Sequence, residues 1–494
     1  MTRALFLAEV RRLARSPIPW GTAALCLGLR LAATWELLPD MSVEPVGTSG
    51  ALLLLAAAMM LSAHLAASRD VRGGMGETLA AVPGRAVRRT AAALGASVMV
   101  GTGLASVVMA AYLLARQAMG PVAGVFDPFE AIGGVLAVPF AAALGVLLGR
   151  WAPRPVAVPL TVFLIGAFTW LNGQQSGYGG WFLPVVLFHR PDWPPRPSAV
   201  HVVYLVAAVA LFAALALLRH GRTWPRLAAA GAAAAVTVAT GTAATAAAPG
   251  REMSREMDTA QLKGPEASFA LMGTQVRERF FGPDARRCEK HGPVTYCAYR
   301  DYAAWIPAWV SAVDPVMRAL PPAERGRFPV VRQLTDSWWH VDHDESSAAT
   351  LFMVWGRAGA EDAYRGVLAS QVVRKVTGLL PQGRAGCDVR GQSRAVVALW
   401  LLGQAVSPAP PRDRQVQIGS SIFAEERSPL GEIRYGTAEL GYARRLLAAP
   451  DAKQRIWAHW DTLVKPGTTV EQALPLLGLR PEFAAEPPVG QPCS

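Results

Sequence analysis

Hydrophobic positions in this chain are bunched rather than spread. Before Gly250 they form long uncharged blocks, and after Arg251 they alternate with charged and polar residues as in a globular domain. A bilayer core about 30 Å thick is crossed by roughly 20 apolar residues in helix. Seven blocks reach or approach that length: Ile18 to Leu38, Gly50 to Ser68, Ala91 to Leu114, Ala131 to Leu148, Val156 to Leu171, Ala199 to Leu218 and Leu227 to Ala248. The last is mostly Ala, Thr and Gly, and two readings fit it. It is a helix packed closely against its neighbours through small residues, or a hydrophobic segment followed by a cleavage site at Ala246 to Ala248.

In the second half, Tyr302, Trp305, Ile306, Trp309, Val313 and Met317 recur at helical spacing, with Pro307 and Pro315 placed to kink or divide the helix. Further helical patterns run through Ala360 to Leu379, Arg390 to Ala405, Gly436 to Ala449, Ala452 to Val464 and Val470 to Leu477; Thr350 to Trp355 and Val416 to Phe423 read as strands. The whole pattern predicts an α-helical polytopic membrane protein of about seven transmembrane helices over 1–249. A mainly α domain with some strand follows over 250–494.

Composition agrees, since 494 residues at 52% hydrophobic and 17% charged are too apolar for an ordinary soluble chain. Arginines then orient the predicted helices, because basic residues in short loops stay on the cytoplasmic side. Arg3, Arg11, Arg12 and Arg15 precede the first block; Arg69, Arg72, Arg85, Arg88 and Arg89 follow the second; Arg150 and Arg154 follow the fourth; Arg219, Arg222 and Arg226 follow the sixth. The alternate loops hold far fewer. This bias predicts a multi-pass protein of the cell membrane, its amino terminus cytoplasmic and the domain after Gly250 extracytoplasmic. The net charge of +12 is then mostly topology signal with some attraction to anionic membrane lipid, and it gives no ground for a nucleic-acid partner.

Cys288, Cys297, Cys387 and Cys493 all fall in the domain placed outside, where disulfides persist. Four cysteines allow three pairings. The expected pairs are Cys288 with Cys297, around a turn at Gly292 and Pro293, and Cys387 with Cys493; free thiols or a metal site are the alternatives, without a CxxC spacing to favour them.

Chemistry is sparse. The chain has no G-x-x-x-x-G-K-[ST] loop for ATP, no H-E-x-x-H metal helix and no G-x-S-x-G nucleophile elbow. The densest ligand cluster is Trp338 to Glu345, where His340, His343 and Asp344 are candidate metal ligands, although the two imidazoles are spaced to point to different sides. Trp305, Trp309, Trp338 and Trp339 are either core or a binding surface. Arg30 is the one arginine within a predicted membrane helix, where it costs about 2.5 to 3.5 kcal/mol unless it snorkels or pairs, with Glu36 nearby in sequence. A polar contact in a substrate path is the other reading.

Two cytoplasmic segments carry a more specific pattern. The first is Glu9-Val10-Arg11-Arg12-Leu13-Ala14-Arg15-Ser16-Pro17, a basic amphipathic stretch before the first block. The second runs from Arg72 to Arg85 as R-x-G-x-x-E-x-L-x-x-x-P-x-R, with Met75, Leu79 and Val82 able to share one face of a short helix ending at Pro83. In these segments the chain resembles the membrane subunits of ABC-2-type transporters, over about the first 220 residues. The resemblance implies a transport subunit, an exporter, that is not itself catalytic and holds no cofactor, with ATP and Mg on a separate ABC ATPase. The segment Gly76 to Val82 would be the coupling helix, with Arg72, Met75, Glu77, Leu79, Val82 and Arg85 at the contact. Ala4 to Arg15, carrying Glu9, Arg11, Arg12 and Arg15, would lie along the inner membrane face. A second permease subunit is implied, as homodimer or heterodimer. Short re-entrant helices are implied between Asn172 and Ser198, a stretch whose Trp181 and Phe182 also suit any membrane interface. Six membrane helices are usual in that family, so a seventh would lead to the added domain. The competing function is a membrane-anchored receptor or a metal-dependent enzyme whose activity lies in 250–494. An apolar bundle suits a lipid, an amphipathic peptide or a hydrophobic small molecule as cargo, and no residue chooses among them.

Overall fold

The computed structural model of the protein describes residues 2–35, 37–74, 85–176, 190–193, 196–246, 259–260, 263, 265–327, 330–335, 338, 341, 350–354, 357, 362–379, 387–408, 415–418, 421–425, 429–431, 433–484, 486–488 and 491–493. The chain divides into two compact units, Met1–Trp35 with Pro39–Phe281, and Glu36–Leu38 with Gly282–Ser494. Composition changes near Gly250, but helices Pro265–Leu271 and Thr274–Phe281 belong to the first unit.

Among the described residues the elements of the first unit are helices: α1 Thr2–Ala14, α2 Pro17–Thr34, α3 Glu44–Ala67, α4 Arg69–Arg72, α5 Arg85–Ala118, α6 Pro128–Trp151, α7 Ala157–Ser176, α8 Ser198–Leu218, α9 Trp224–Ala246, α10 Pro265–Leu271 and α11 Thr274–Phe281. Among the described residues five helices, α3, α5, α6, α8 and α9, are long and apolar enough to cross a membrane. The other two predicted blocks are also helical but fall short. In α2, Pro17, Pro19 and Arg30 dilute the apolar run and the helix stops at Thr34; in α7 the apolar described part is Ala157–Phe168. The small-residue block forms α9 and packs along α8, with Gly241 against the Tyr204 ring.

Helices α3 and α6 form the centre. Three glycines of α6, Gly134, Gly145 and Gly149, are eleven and four residues apart, so at 3.6 residues per turn they share a face. A Cβ at Gly134 would overlap the Ser49 hydroxyl, one at Gly145 the Met60 carbonyl oxygen, and one at Gly149 would come within 2.7 Å of the Ala67 Cβ. Small residues let the two backbones approach where side chains could not. Leu52, Leu55, Met59, Leu104, Val138 and Val146 fill the surrounding core.

The second unit mixes helix and sheet. Strands β1 Arg286–His291, β2 Val294–Tyr299, β3 Val330–Leu334 and β4 Thr350–Val354 form one sheet in chain order. β1 and β2 are an antiparallel hairpin turned at Gly292, whose φ is 58°; β2, β3 and β4 are parallel. The sequence pattern predicts a turn here but no strands, because β1 reads Arg-Arg-Cys-Glu-Lys-His, without apolar alternation. After a 3-10 turn at Arg300–Trp305, helix α12, Ile306–Ala319, crosses from β2 towards β3. Pro307 sits in its first turn, where no amide hydrogen is needed, and the helix continues through Pro315 instead of dividing there. Trp305, Trp309 and Trp338 are buried core, settling those three as packing residues.

The remaining elements are α13 Asp362–Val376, β5 Cys387–Asp388, α14 Ser393–Leu402, β6 Gln415–Ile418, β7 Ser421–Glu425, β8 Ile433–Arg434, α15 Thr437–Ala448, α16 Ala452–Ala458, α17 Trp460–Leu463 and α18 Val470–Leu477. The strand expected at Val416 to Phe423 is the hairpin β6–β7. Helix α14 is buried on every side. Cys288 bonds Cys297 across the β1–β2 pair, and Cys387 bonds Cys493. Cys26 is free and buried, its thiol donating to the Ala51 carbonyl at 3.1 Å.

Candidate functional site

The amphipathic pattern of the first fifteen residues becomes helix α1, which buries Leu13, sets Phe6 against Gly95 of α5 and leaves Arg11, Arg12 and Arg15 exposed. Glu9, on the flank of this helix, accepts from Arg69 of α4 at 3.3 and 3.4 Å. Burial raises the Glu9 carboxyl above its usual value, while Arg12 beside it pulls the other way. Next to Arg69, the single carboxylate of Asp70 takes Arg89 of α5 at 3.3 Å and Arg150 of α6 at 3.4 Å. Five structural elements thus meet: α1, α4, the end of α3 that leads into α4, the start of α5 and the end of α6.

Neighbouring contacts close the layer. Thr90 of α5 and His220, just past α8, share a hydrogen bond of 2.7 Å; burial, then Arg150 and other arginines, lower the His220 pKa. Arg219 lies over the Trp151 ring, whose Nε1 donates to the Leu215 carbonyl at 3.0 Å.

Of the six residues expected to contact an ATPase, Met75, Glu77, Leu79 and Val82 lie outside the described residues. Arg85 begins α5, and its side chain is also outside them. Arg72 acts locally. Its guanidinium donates to the Leu65 carbonyl at 2.7 Å and to the Ser68 hydroxyl at 3.2 Å, capping the end of α3. The base of the loop is therefore built as a fixed polar platform. Arg11, Arg12, Arg15 and Arg72 are exposed around it.

At the opposite end of the bundle Arg30 is paired with Glu44. Its Nη2 lies 3.0 Å from Glu44 Oε2, and the Arg30 guanidinium occupies the notch left by Gly47, where a Cβ would overlap it. Glu36 lies outside the described residues. Arg116 of α5 reaches the other oxygen of the same carboxylate at 3.2 Å and the Thr34 carbonyl at 2.8 Å. The Tyr112 hydroxyl also donates to Glu44, and shares a 3.0 Å hydrogen bond with Thr34. Glu44 and Arg116 are wholly buried. The sequence flags such a pair only weakly, as an acid and a base within a turn of two helix ends.

His340, His343 and Asp344 lie outside the described residues, and among the described residues no group of three His, Cys, Asp or Glu is placed to hold a metal. No family model, curated protein or solved structure matches the chain.

Proposed function

We propose that the chain is the membrane-spanning subunit of an ATP-driven transporter, an exporter, coupled to a separate ABC ATPase through the loop 69–90. The observation that carries this reading is the Glu9–Arg69 ion pair, which joins the amphipathic amino-terminal helix to the base of that loop. A loop that transmits force needs an anchored base. Here Asp70 ties it to α5 and α6 as well, so a push on 75–84 would reach two long helices through charged contacts.

In this reading α1 lies along the cytoplasmic face of the cell membrane, and the domain from residue 250 onward is extracytoplasmic. The two disulfides support that side, because disulfides persist in oxidising compartments. Seven membrane-crossing helices, counting α2 and α7 with the five long ones, bring the chain to that side. A second permease subunit completes the transport path, and ATP and Mg belong to the partner.

The test is a gentle-detergent pull-down of the intact chain, comparing wild type with a Glu77→Lys, Leu79→Asp double variant. An ATPase recovered with the first and lost with the second supports the proposal. If no ATPase is captured even after crosslinking in membranes, the exporter loses its energy source and the receptor or enzyme reading of 250–494 takes its place.

A further inference from the structure

A cavity of about 220 Å³ opens at the end of the bundle that carries the Arg30–Glu44 pair, and its walls are charged in a balanced way. Asp127 and Glu130, at the start of α6, supply two carboxylates; Arg196, before α8, and Arg279 of α11 supply two guanidiniums; Trp193 and Val125 add apolar surface. The site is held by direct contacts. Arg196 Nε lies 2.8 Å from Glu130 Oε1, with side chains only 3% and 11% exposed. Asp127 accepts from the Phe129 amide at 2.8 Å and from the Ser198 hydroxyl at 2.6 Å, which fixes the start of α6 against the start of α8.

The balance of charge selects a ligand class. An ion of one sign would meet as many like as opposite charges in this cavity, so its Coulomb gain and loss would nearly cancel. A zwitterion places each end against its complement. The neighbouring sequence adds a second requirement, because Val125 lines the cavity and Val125, Phe126, Phe129 and Ile132, interleaved along the chain with Asp127 and Glu130, are large apolar side chains 44–52% exposed. Charged groups on one side and apolar residues on the other, with a tryptophan in the wall, suit a bilayer interface.

We infer that this cavity binds the headgroup of a zwitterionic phospholipid carrying a phosphate and a primary ammonium. The phosphate faces Arg196 and Arg279, the ammonium faces Asp127 and Glu130, and an acyl chain lies along Phe129 and Ile132. This site is separate from the loop 69–90, so it and the ATPase proposal can fail independently.

The test uses the full-length chain, delipidated in detergent and followed by native mass spectrometry. It is titrated with phosphatidylethanolamine or phosphatidylglycerol, each with and without water-soluble glycerophosphoethanolamine. Phosphatidylethanolamine is expected to bind at one saturable site about tenfold more tightly than phosphatidylglycerol, the scale of one charge-assisted hydrogen bond. Arg279→Gln weakens both lipids, whose shared phosphate it faces, Val125→Asp weakens phospholipid binding, and the soluble headgroup fails to displace the lipid. Glu130→Gln removes the preference for phosphatidylethanolamine, and Asp127→Asn repeats that test if Glu130→Gln does not fold. Equal binding of the two lipids, a preference that survives both carboxylate substitutions, or binding unchanged by Arg279→Gln overturns the site. Displacement by the soluble headgroup at equal affinity overturns the lipid as its occupant.

Discussion

Arg116 Nε lies 3.2 Å from Glu44 Oε1, and both side chains are wholly buried at one end of the helix bundle. Glu44 also serves Arg30 and Tyr112, so one carboxylate joins α2, α3 and α5. Removing a shared partner is costlier than removing either base, because two guanidiniums lose it together. Breaking a buried pair typically costs about 3–5 kcal/mol. Glu44→Ala is expected to lower the unfolding midpoint in detergent more than Arg30→Met, which deletes one base and leaves the Arg116 contact. A smaller loss for Glu44→Ala would show that the knot does not hold the three helices.

The close approach of α3 and α6 makes a sharper packing prediction. Gly145→Leu places side-chain atoms where the Met60 carbonyl sits, and overpacking of this kind costs about 1–3 kcal/mol or more. Gly103→Ala, in α5, meets nothing within 4 Å and should be neutral or stabilising by about 0.5–1 kcal/mol. Size-exclusion profiles and thermal unfolding of the two variants, compared in one detergent, separate these outcomes.

Arg72 distinguishes a capping residue from a contact residue. Because its guanidinium is bonded to Leu65 and Ser68, Arg72→Ala should loosen the end of α3 by about 1 kcal/mol. ATPase capture should survive once expression is matched. Selective loss of capture, with unfolding unchanged, would place Arg72 at the contact.

The Cys387–Cys493 bond closes a sequence separation of 106 residues, and in the chain-entropy account a loop near that length is worth about 4.7 kcal/mol. The tail it holds also pairs with Asp388 and sets the Phe483 ring edge-on against Tyr442. Replacing both cysteines by Ser should therefore expose the tail to limited proteolysis well before the Cys288–Cys297 hairpin, whose loop spans only 9.

A pH response follows from Glu486. The Thr437 hydroxyl and amide both donate to its carboxylate and hold its pKa below the usual glutamate value. A depressed carboxyl stabilises the fold above its unfolded pKa, and the contribution is lost as pH falls through the lowered native value. Wild type should thus show increased tail proteolysis on acidification below the ordinary glutamate range. Glu486→Gln should show a weaker tail contact at neutral pH and a flatter acid dependence.

Much of the architecture is legible in the sequence because run length and periodicity are local. The uncharged blocks mark α3, α5, α6, α8 and α9, and the pattern over Val470 to Leu477 matches α18 to its ends. The cysteine pairs follow from a short turn and from elimination. The limits are equally local. Pro and Arg thin the apolar run of α2, and strand β1 has no alternation because it is an exposed edge held by a disulfide and by β2.

Sequence alone determined that this chain has long apolar helices followed by a mixed domain with two disulfides, since hydrophobic length and residue type need no partner to be read. The tertiary structure decided which charges meet. Glu44 finds Arg30 at a separation of 14 residues and Arg116 at 72, and Glu9 finds Arg69 at 60. No periodicity encodes those pairs. They arise where helix ends converge, and in a low-dielectric interior each buried charge must find a partner that the fold brings to it.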